Sequence, residues 1–313
     1  MKIDKIKIPA YIIGGIGIGI LCTFGLMSLT NNDNSSTGND ENTTAQMQIS
    51  SQPYIPEEVT FCGARVPIEN FDVYESLDYE LIVNMYRHSA TISYLKKAHR
   101  YFPEIEQVLK QNNIPDDFKY LCVAESGLAN VVSPAGATGF WQFMKTAGTQ
   151  FGLTIDSEVD ERYNHHKSVI AACKYFNSSY KTFKDWNLVA ASYNMGIGGV
   201  QKNLESQKVK SYWDLTLNQE TARYVFRIIA LKLIMENPSA YGFNLDEKDL
   251  YDDIETYTIT VDTTIDDLTK FALEHDSNLK MLKTFNPWLR STRLTNKARK
   301  EYQIELPKKR ATR

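Results

Sequence analysis

Residues 119–144, KYLCVAESGLANVVSPAGATGFWQFM, decide the reading of this chain. The apolar run through Tyr120, Leu121 and Val123 has helical spacing and closes on a lone acid, Glu125. Asp116 and Asp117, just after Pro115, are placed to start that helix, and Gly127 is placed to end it. A loop of small residues follows, leading into Gly139-Phe140-Trp141-Gln142. Leu121, Val123 and Leu128 surround Glu125 with apolar groups, which raise a carboxyl pKa by disfavouring its charged form. A carboxyl kept protonated in this way is the general acid used to break glycosidic bonds. A single Glu at a helix end is ordinarily just solvated, so the weight rests on what accompanies it.

Further patterns follow along the chain. Ala191-Ser192-Tyr193-Asn194-Met195-Gly196 lies in a helical stretch, as does Glu220-Thr221-Ala222-Arg223-Tyr224-Val225. Between the loop and these come Asp160-x-Arg162 and Ser168-x-x-Ala171-Ala172. Apolar periodicity predicts helices over Tyr79–Tyr101, Pro103–Asn112, Phe140 to just before Gly152, Ser168–Tyr180, Trp186–Asn194 and Glu220–Met235. After Pro238 the composition changes. YTITV at Tyr257–Val261 reads as a strand, Thr264–His275 and Lys280–Phe285 as helices, and Tyr302–Leu306 as a closing strand.

Taken together, the motifs resemble the soluble lytic transglycosylase family, lysozyme-like enzymes that cut peptidoglycan, over roughly residues 95–235. Glu125-Ser126 matches the family's catalytic pair, and 133–144 matches its Gly-Ala-x-Gly-Leu-x-Gln-x-Met block. Ser192 stands where the family usually has Ala. The resemblance implies that Glu125 is catalytic, first as acid and then as base. It implies substrate-binding roles for Ser126, Ser133, Gly139, Gln142, Met144, Tyr193, Asn194, Glu220 and Tyr224. Ser133 and Gln142 would hydrogen-bond the sugar or the glutamate, and Met144 would line the cleft. Tyr193 would orient Glu125 or an N-acetyl group with Asn194 in support, while Glu220 and Tyr224 would hold the far wall. No second catalytic carboxylate is evident within the motifs, as hydrolysis would require. The implied reaction instead closes a 1,6-anhydro ring on N-acetylmuramic acid and needs no cofactor. Hydrolysis on the same fold and a non-catalytic peptidoglycan-binding scaffold are the alternatives.

Residues 256–308 resemble a degenerate LysM domain, with Asp262-Thr263-Thr264 in place of the family's Gly-Asp-Thr. The expected fold class is therefore mainly α: a lysozyme-like helical catalytic domain at 56–245 plus a small βααβ, α+β module at 256–308. That module would either bind glycan or cap the helical domain.

The chain has 313 residues with net charge −3 and no basic stripe, which excludes a nucleic-acid footprint. Residues 1–7 carry Lys2, Lys5 and Lys7, and the uncharged run 8–30 is long enough to cross ~30 Å of hydrocarbon. Positive charge before the run predicts a cytoplasmic N-terminus, a membrane partner and a catalytic domain in the cell envelope outside the cytoplasm. A cleaved signal segment is the competing reading; Cys22 only half matches a lipoprotein box because Leu21 precedes it. Residues 31–55 are polar and read as a flexible linker. Cys62, Cys122 and Cys173 lack zinc spacing, and Cys122 and Cys173 fall in apolar helical patterns that predict burial. His165-His166 has no third ligand at metal spacing and reads as a surface turn, so no metal is expected.

Overall fold

The computed structural model describes residues 52–308. The segment at 8–30 lies outside the described residues, and among those described no helix is long and apolar enough to cross a membrane. A short hairpin comes first, β1 (Thr60–Phe61) and β2 (Ala64–Arg65), turned at Cys62 and Gly63. The sequence reading did not anticipate it. Asp117 fastens it to the helices, its carboxylate accepting the Cys62 amide at 2.6 Å and Lys232 Nζ at 2.8 Å.

Two helices follow, α1 (Phe71–Tyr86) and α2 (His88–Gln111). The single helix expected over Tyr79–Tyr101 is broken at Arg87, where ψ turns to 45° and the Thr91 hydroxyl takes the Asn84 carbonyl. The break expected around Pro103 does not occur. A proline costs a helix one hydrogen bond, and here the face formed by Ala98, Ile105, Val108 and Leu109 is buried strongly enough to carry α2 through it.

Helix α3 (Phe118–Ser126) starts at Asp117 and ends at Gly127. Phe118 through Val123 are all buried, as befits a helix enclosed on every side. The long helix expected from Phe140 shrinks to α4 (Lys145–Gln150). Gly139 and Gln142 both adopt positive φ, and bridges pair Thr138 with Val132 and with Phe143. The stretch is thus an irregular loop that plants Phe140, Trp141 and Phe143 in the core. Then come α5 (His165–Phe183), α6 (Trp186–Met195), α7 (Ile197–Gln207) and α8 (Gln219–Glu236), with α1 and α3 both packed against α8. Glycines at 198 and 199 hid α7 from the periodicity reading. Cys122 and Cys173 are buried, as expected.

The remainder is α+β. Strands β3 (Thr256–Val261) and β4 (Tyr302–Pro307) pair antiparallel from Thr256↔Pro307 to Val261↔Tyr302 and enclose α9 (Leu268–Glu274) and α10 (Leu279–Phe285). Leu268, Ala272, Leu282, Ile304 and Leu306 form its core, with Trp288 stacked on Tyr302. Val159, from the loop after α4, completes that core. This loop docks the module: Val159 bridges Leu289, and the Asp160 amide donates to Trp288 O at 2.9 Å. Buried Glu161 accepts Lys300 Nζ at 3.0 Å, and the Thr295 amide donates to Glu158 at 2.6 Å. Trp288 and Leu289 are buried beside this loop.

Candidate active site

Glu125 occupies the last turn of α3, and the sequence sets it there by local means. Gly127 takes φ 61°, which only glycine adopts freely, and a Cβ at this position would lie 2.2 Å from the Tyr94 ring. The chain therefore stops and turns within two residues of the acid. Ser126 Oγ accepts the Ala129 amide at 3.3 Å, and Lys97 Nζ donates to Gly127 O at 3.1 Å, fixing the turn.

The half-buried Glu125 side chain is held by Tyr224 and feels the groups of Cys122, Tyr193 and Arg227. Burial pushes its pKa up to about 7, against the opposing pull of a hydrogen bond from Tyr224 and the positive charge of Arg227. Glu220 adds to the rise. The Tyr224 hydroxyl donates to Glu125 Oε1. At neutral pH about half of such groups are protonated, where an ordinary surface glutamate is almost wholly ionised.

The loop 126–144 is braced as a unit. The Ala137 amide donates to Ser133 Oγ at 3.0 Å, and Gln142 Nε2 donates to Gly139 O at 2.7 Å and Val131 O at 3.1 Å. Gly139 is required twice over: its φ is 82°, and a Cβ would lie 1.9 Å from Arg162 O. Arg162 is paired with Asp160 at 2.7 Å, and its Nη1 donates to Gly136 O and Phe143 O. Val131, Val132 and Met144 are left exposed on the loop, Met144 by 47%.

The expected residues divide by place. Tyr224 and Tyr193 both flank the Glu125 carboxyl, but the Tyr193 hydroxyl donates to Trp141 O at 2.7 Å and so orients the loop rather than the acid. The hydroxyl that holds Glu125 is that of Tyr224. Asn194 Nδ2 donates to Glu220 at 3.0 Å, and the Thr221 hydroxyl donates to Asn194 Oδ1 at 2.7 Å, so α6 and α8 present these two polar groups together. Gln142 directs its amide donors into the loop, while Ser126 fixes the turn at Gly127 and Gly139 lies against the Arg162 carbonyl. His165 and His166 do not form a free turn; they open α5 and both engage Glu104 at 2.8 Å. Burial pushes Glu104 up, yet the two histidine hydrogen bonds hold it down at about 2.

Sequence reasoning missed Arg227, which acts on Glu125, and Glu80, which pairs with it. Helical spacing carried a signal for Glu80, because positions 73, 77, 80, 81 and 84 all fall on the buried face of α1.

Residues 102–216 match the family described as the transglycosylase SLT domain. Residues 257–310 match the soluble lytic transglycosylase C-terminal LysM-like domain. Two curated relatives, both called membrane-bound lytic murein transglycosylase D, come from Escherichia coli K12 and from Escherichia coli O6:H1. Each is 29% identical to this chain over 249 residues, or 78% of this chain and 53% of the relative. The chain thus spans about half the length of the curated relatives it matches. A solved structure of lytic transglycosylase Slt from Pseudomonas aeruginosa, an inactive mutant, aligns over 48% of this chain and 26% of its own. Its TM-score is 0.35 and its identity 18%.

Proposed function

We propose that this chain, which carries a transglycosylase SLT domain and a lytic-transglycosylase LysM-like domain, cleaves the MurNAc–GlcNAc β-1,4 bond of peptidoglycan without water. One observation carries the reading: a single half-buried carboxyl, Glu125, whose pKa is pushed up to about 7 and whose Oε1 is held by the Tyr224 hydroxyl. With Oε1 occupied, the proton rides on Oε2 and is available to the glycosidic oxygen. As that bond breaks, positive charge develops at the anomeric carbon, and the neighbouring N-acetyl group stabilises it. Glu125, now a carboxylate, takes the proton of the sugar's C6 hydroxyl, and O6 closes on C1. The glycosidic bond is lost, the C1–O6 bond is gained, and the proton returns to Glu125. A pKa near 7 suits a group that must act in turn as acid and base.

Asn194 and Glu220, tied together on the same wall, would bind the amide and hydroxyls of the sugar, with Met144 and Ser133 on the loop side. Tyr193 and Gln142 would support these groups by holding the loop. The docking of the C-terminal module on 154–163 favours a capping role over a free glycan-binding arm. Residues 56–245 would be the catalytic domain and 256–308 the cap, with the 8–30 segment holding both at the cell envelope.

Hydrolysis is the second reading, favoured by one observation: Glu220 is close enough to Glu125 to raise its pKa and could activate water. The test of the catalytic assignment is Glu125→Gln on purified sacculi. An amide cannot give and retake a proton, and such assistance is worth ~10²–10⁴-fold, so activity should nearly vanish. A variant that keeps more than a tenth of wild-type turnover overturns the assignment.

A further inference from the structure

Glu80 lies on α1, fully buried at 0% exposure between Leu77 and Leu81 and facing α8. Its Oε1 accepts Arg223 Nε at 2.6 Å. Its Oε2 accepts no hydrogen bond among the described residues and has Arg227 Nε 3.5 Å away. A buried charge is expensive, and an apolar side chain of the same size often serves stability as well or better. Packing between α1 and α8 therefore does not account for a carboxylate here. Its two partners supply a reason. Arg223 and Arg227 are one helical turn apart on α8 and bracket Tyr224, whose hydroxyl holds Glu125. Arg223 also stacks over the Tyr79 ring at 4.5 Å, so α1 grips it from two sides.

We infer that Glu80 is a positioning residue for the catalytic acid: it anchors the guanidiniums of Arg223 and Arg227, which flank Tyr224 in sequence on α8, and offsets the Arg227 charge near Glu125. The inference rests on the assignment of Glu125 made above. The groups facing Glu125 are Tyr224, Arg227 and Glu220 from α8, Tyr193 from α6 and Cys122 from α3. Those facing Glu80 are Arg223 and Arg227 from α8 and Tyr212 from the turn before it. Among them Arg227 is the cation that favours the ionised form of Glu125. Remove the Glu80 charge and Arg227 acts unopposed, so Glu125 should lose its proton at lower pH.

The test is the pH profile of kcat/KM on peptidoglycan, measured with the full chain. The alkaline limb, where the acid ionises, should move down by about half to one pH unit in Glu80→Gln. It should move up in Arg227→Gln. In the Arg227→Gln background, adding Glu80→Gln should lose most of its effect, because the two act through one contact. Glu80→Asp, which keeps the charge, should restore the wild-type limb. If the amide does not fold, Glu80→Met takes its place, since a buried site tolerates an apolar side chain of that volume. A Glu80 variant that loses activity equally at every pH, with the limb unmoved, reduces Glu80 to a packing role and overturns the inference. Glu125→Gln in the same assay separates the two claims. If it stays active, the assignment of Glu125 fails; if it is inert while the limb is unmoved, only the role of Glu80 fails.

Discussion

Replacing Glu125 with Gln should make the protein more stable above neutral pH while abolishing its activity. In the folded state burial lifts the carboxyl from its ordinary 4.5 to about 7. The folded protein therefore binds this proton more tightly than the unfolded chain does. Such a group contributes stability that is fully present below the unfolded value and is lost as pH rises through the folded one. At about 1.4 kcal/mol per pH unit, the interval from 4.5 to about 7 corresponds to about 3 kcal/mol lost by pH 8. Gln has nearly the same shape, its carbonyl can still accept from Tyr224, and it carries no charge to bury. The assay is urea unfolding of wild type and variant at several pH values, taking the difference so that other titrating groups cancel. The difference should be near zero at pH 4, open between pH 5 and 7, and level off at about 3 kcal/mol in favour of Gln. A difference that is flat with pH, or that favours wild type at pH 8, would refute the half-buried, proton-retaining acid.

Tyr224→Phe removes the hydrogen bond that pulls the Glu125 pKa down, so the alkaline limb of activity should rise while turnover falls about 10- to 100-fold, as for a lost hydrogen bond to a charged group; an unmoved limb would detach Tyr224 from the acid. Gly139→Ala should lower stability by at least about 1–3 kcal/mol, since φ is 82° and the added Cβ meets Arg162 O; an unchanged thermal midpoint would mean the loop is not held as described. Glu161→Gln breaks a buried carboxylate that joins Lys167, Lys300 and the Thr154 amide, at a cost of about 3 kcal/mol. Amide exchange in β3 and β4 should quicken in that variant; exchange as slow as wild type would show that the module does not depend on this contact.

Helix α3 was legible because its signals were local. Gly127 takes the left-handed conformation that ends α3, whereas Asp117 at its start commits its carboxylate to Cys62 and Lys232 instead of capping; Glu125 itself was marked by the motifs that accompany it. The small C-terminal module was legible for the same reason, as a β-branched run marks β3 and apolar–polar alternation marks β4. What failed depended on distant contacts. Phe140–Met144 has helical composition, yet Gly139 and Gln142 turn left-handed to fit Arg162 and to bury Trp141, and tertiary packing outranks propensity. The break at Arg87 and the continuity through Pro103 were likewise settled by burial of the two helices. The choice between Tyr193 and Tyr224 could not be made from spacing, because both flank Glu125 and only the location of the Trp141 carbonyl separates them. Glu80 was visible as a charge on an apolar helical face, but its partners are more than 140 residues away in sequence.

The most direct test of the reaction is mass spectrometry of the fragments released from purified sacculi by the wild-type protein. The account predicts chains ending in 1,6-anhydro-N-acetylmuramic acid, lighter by one water than their reducing counterparts, and none from Glu125→Gln. Fragments ending in reducing N-acetylmuramic acid would contradict it and assign water, activated at Glu220 or elsewhere, as the acceptor.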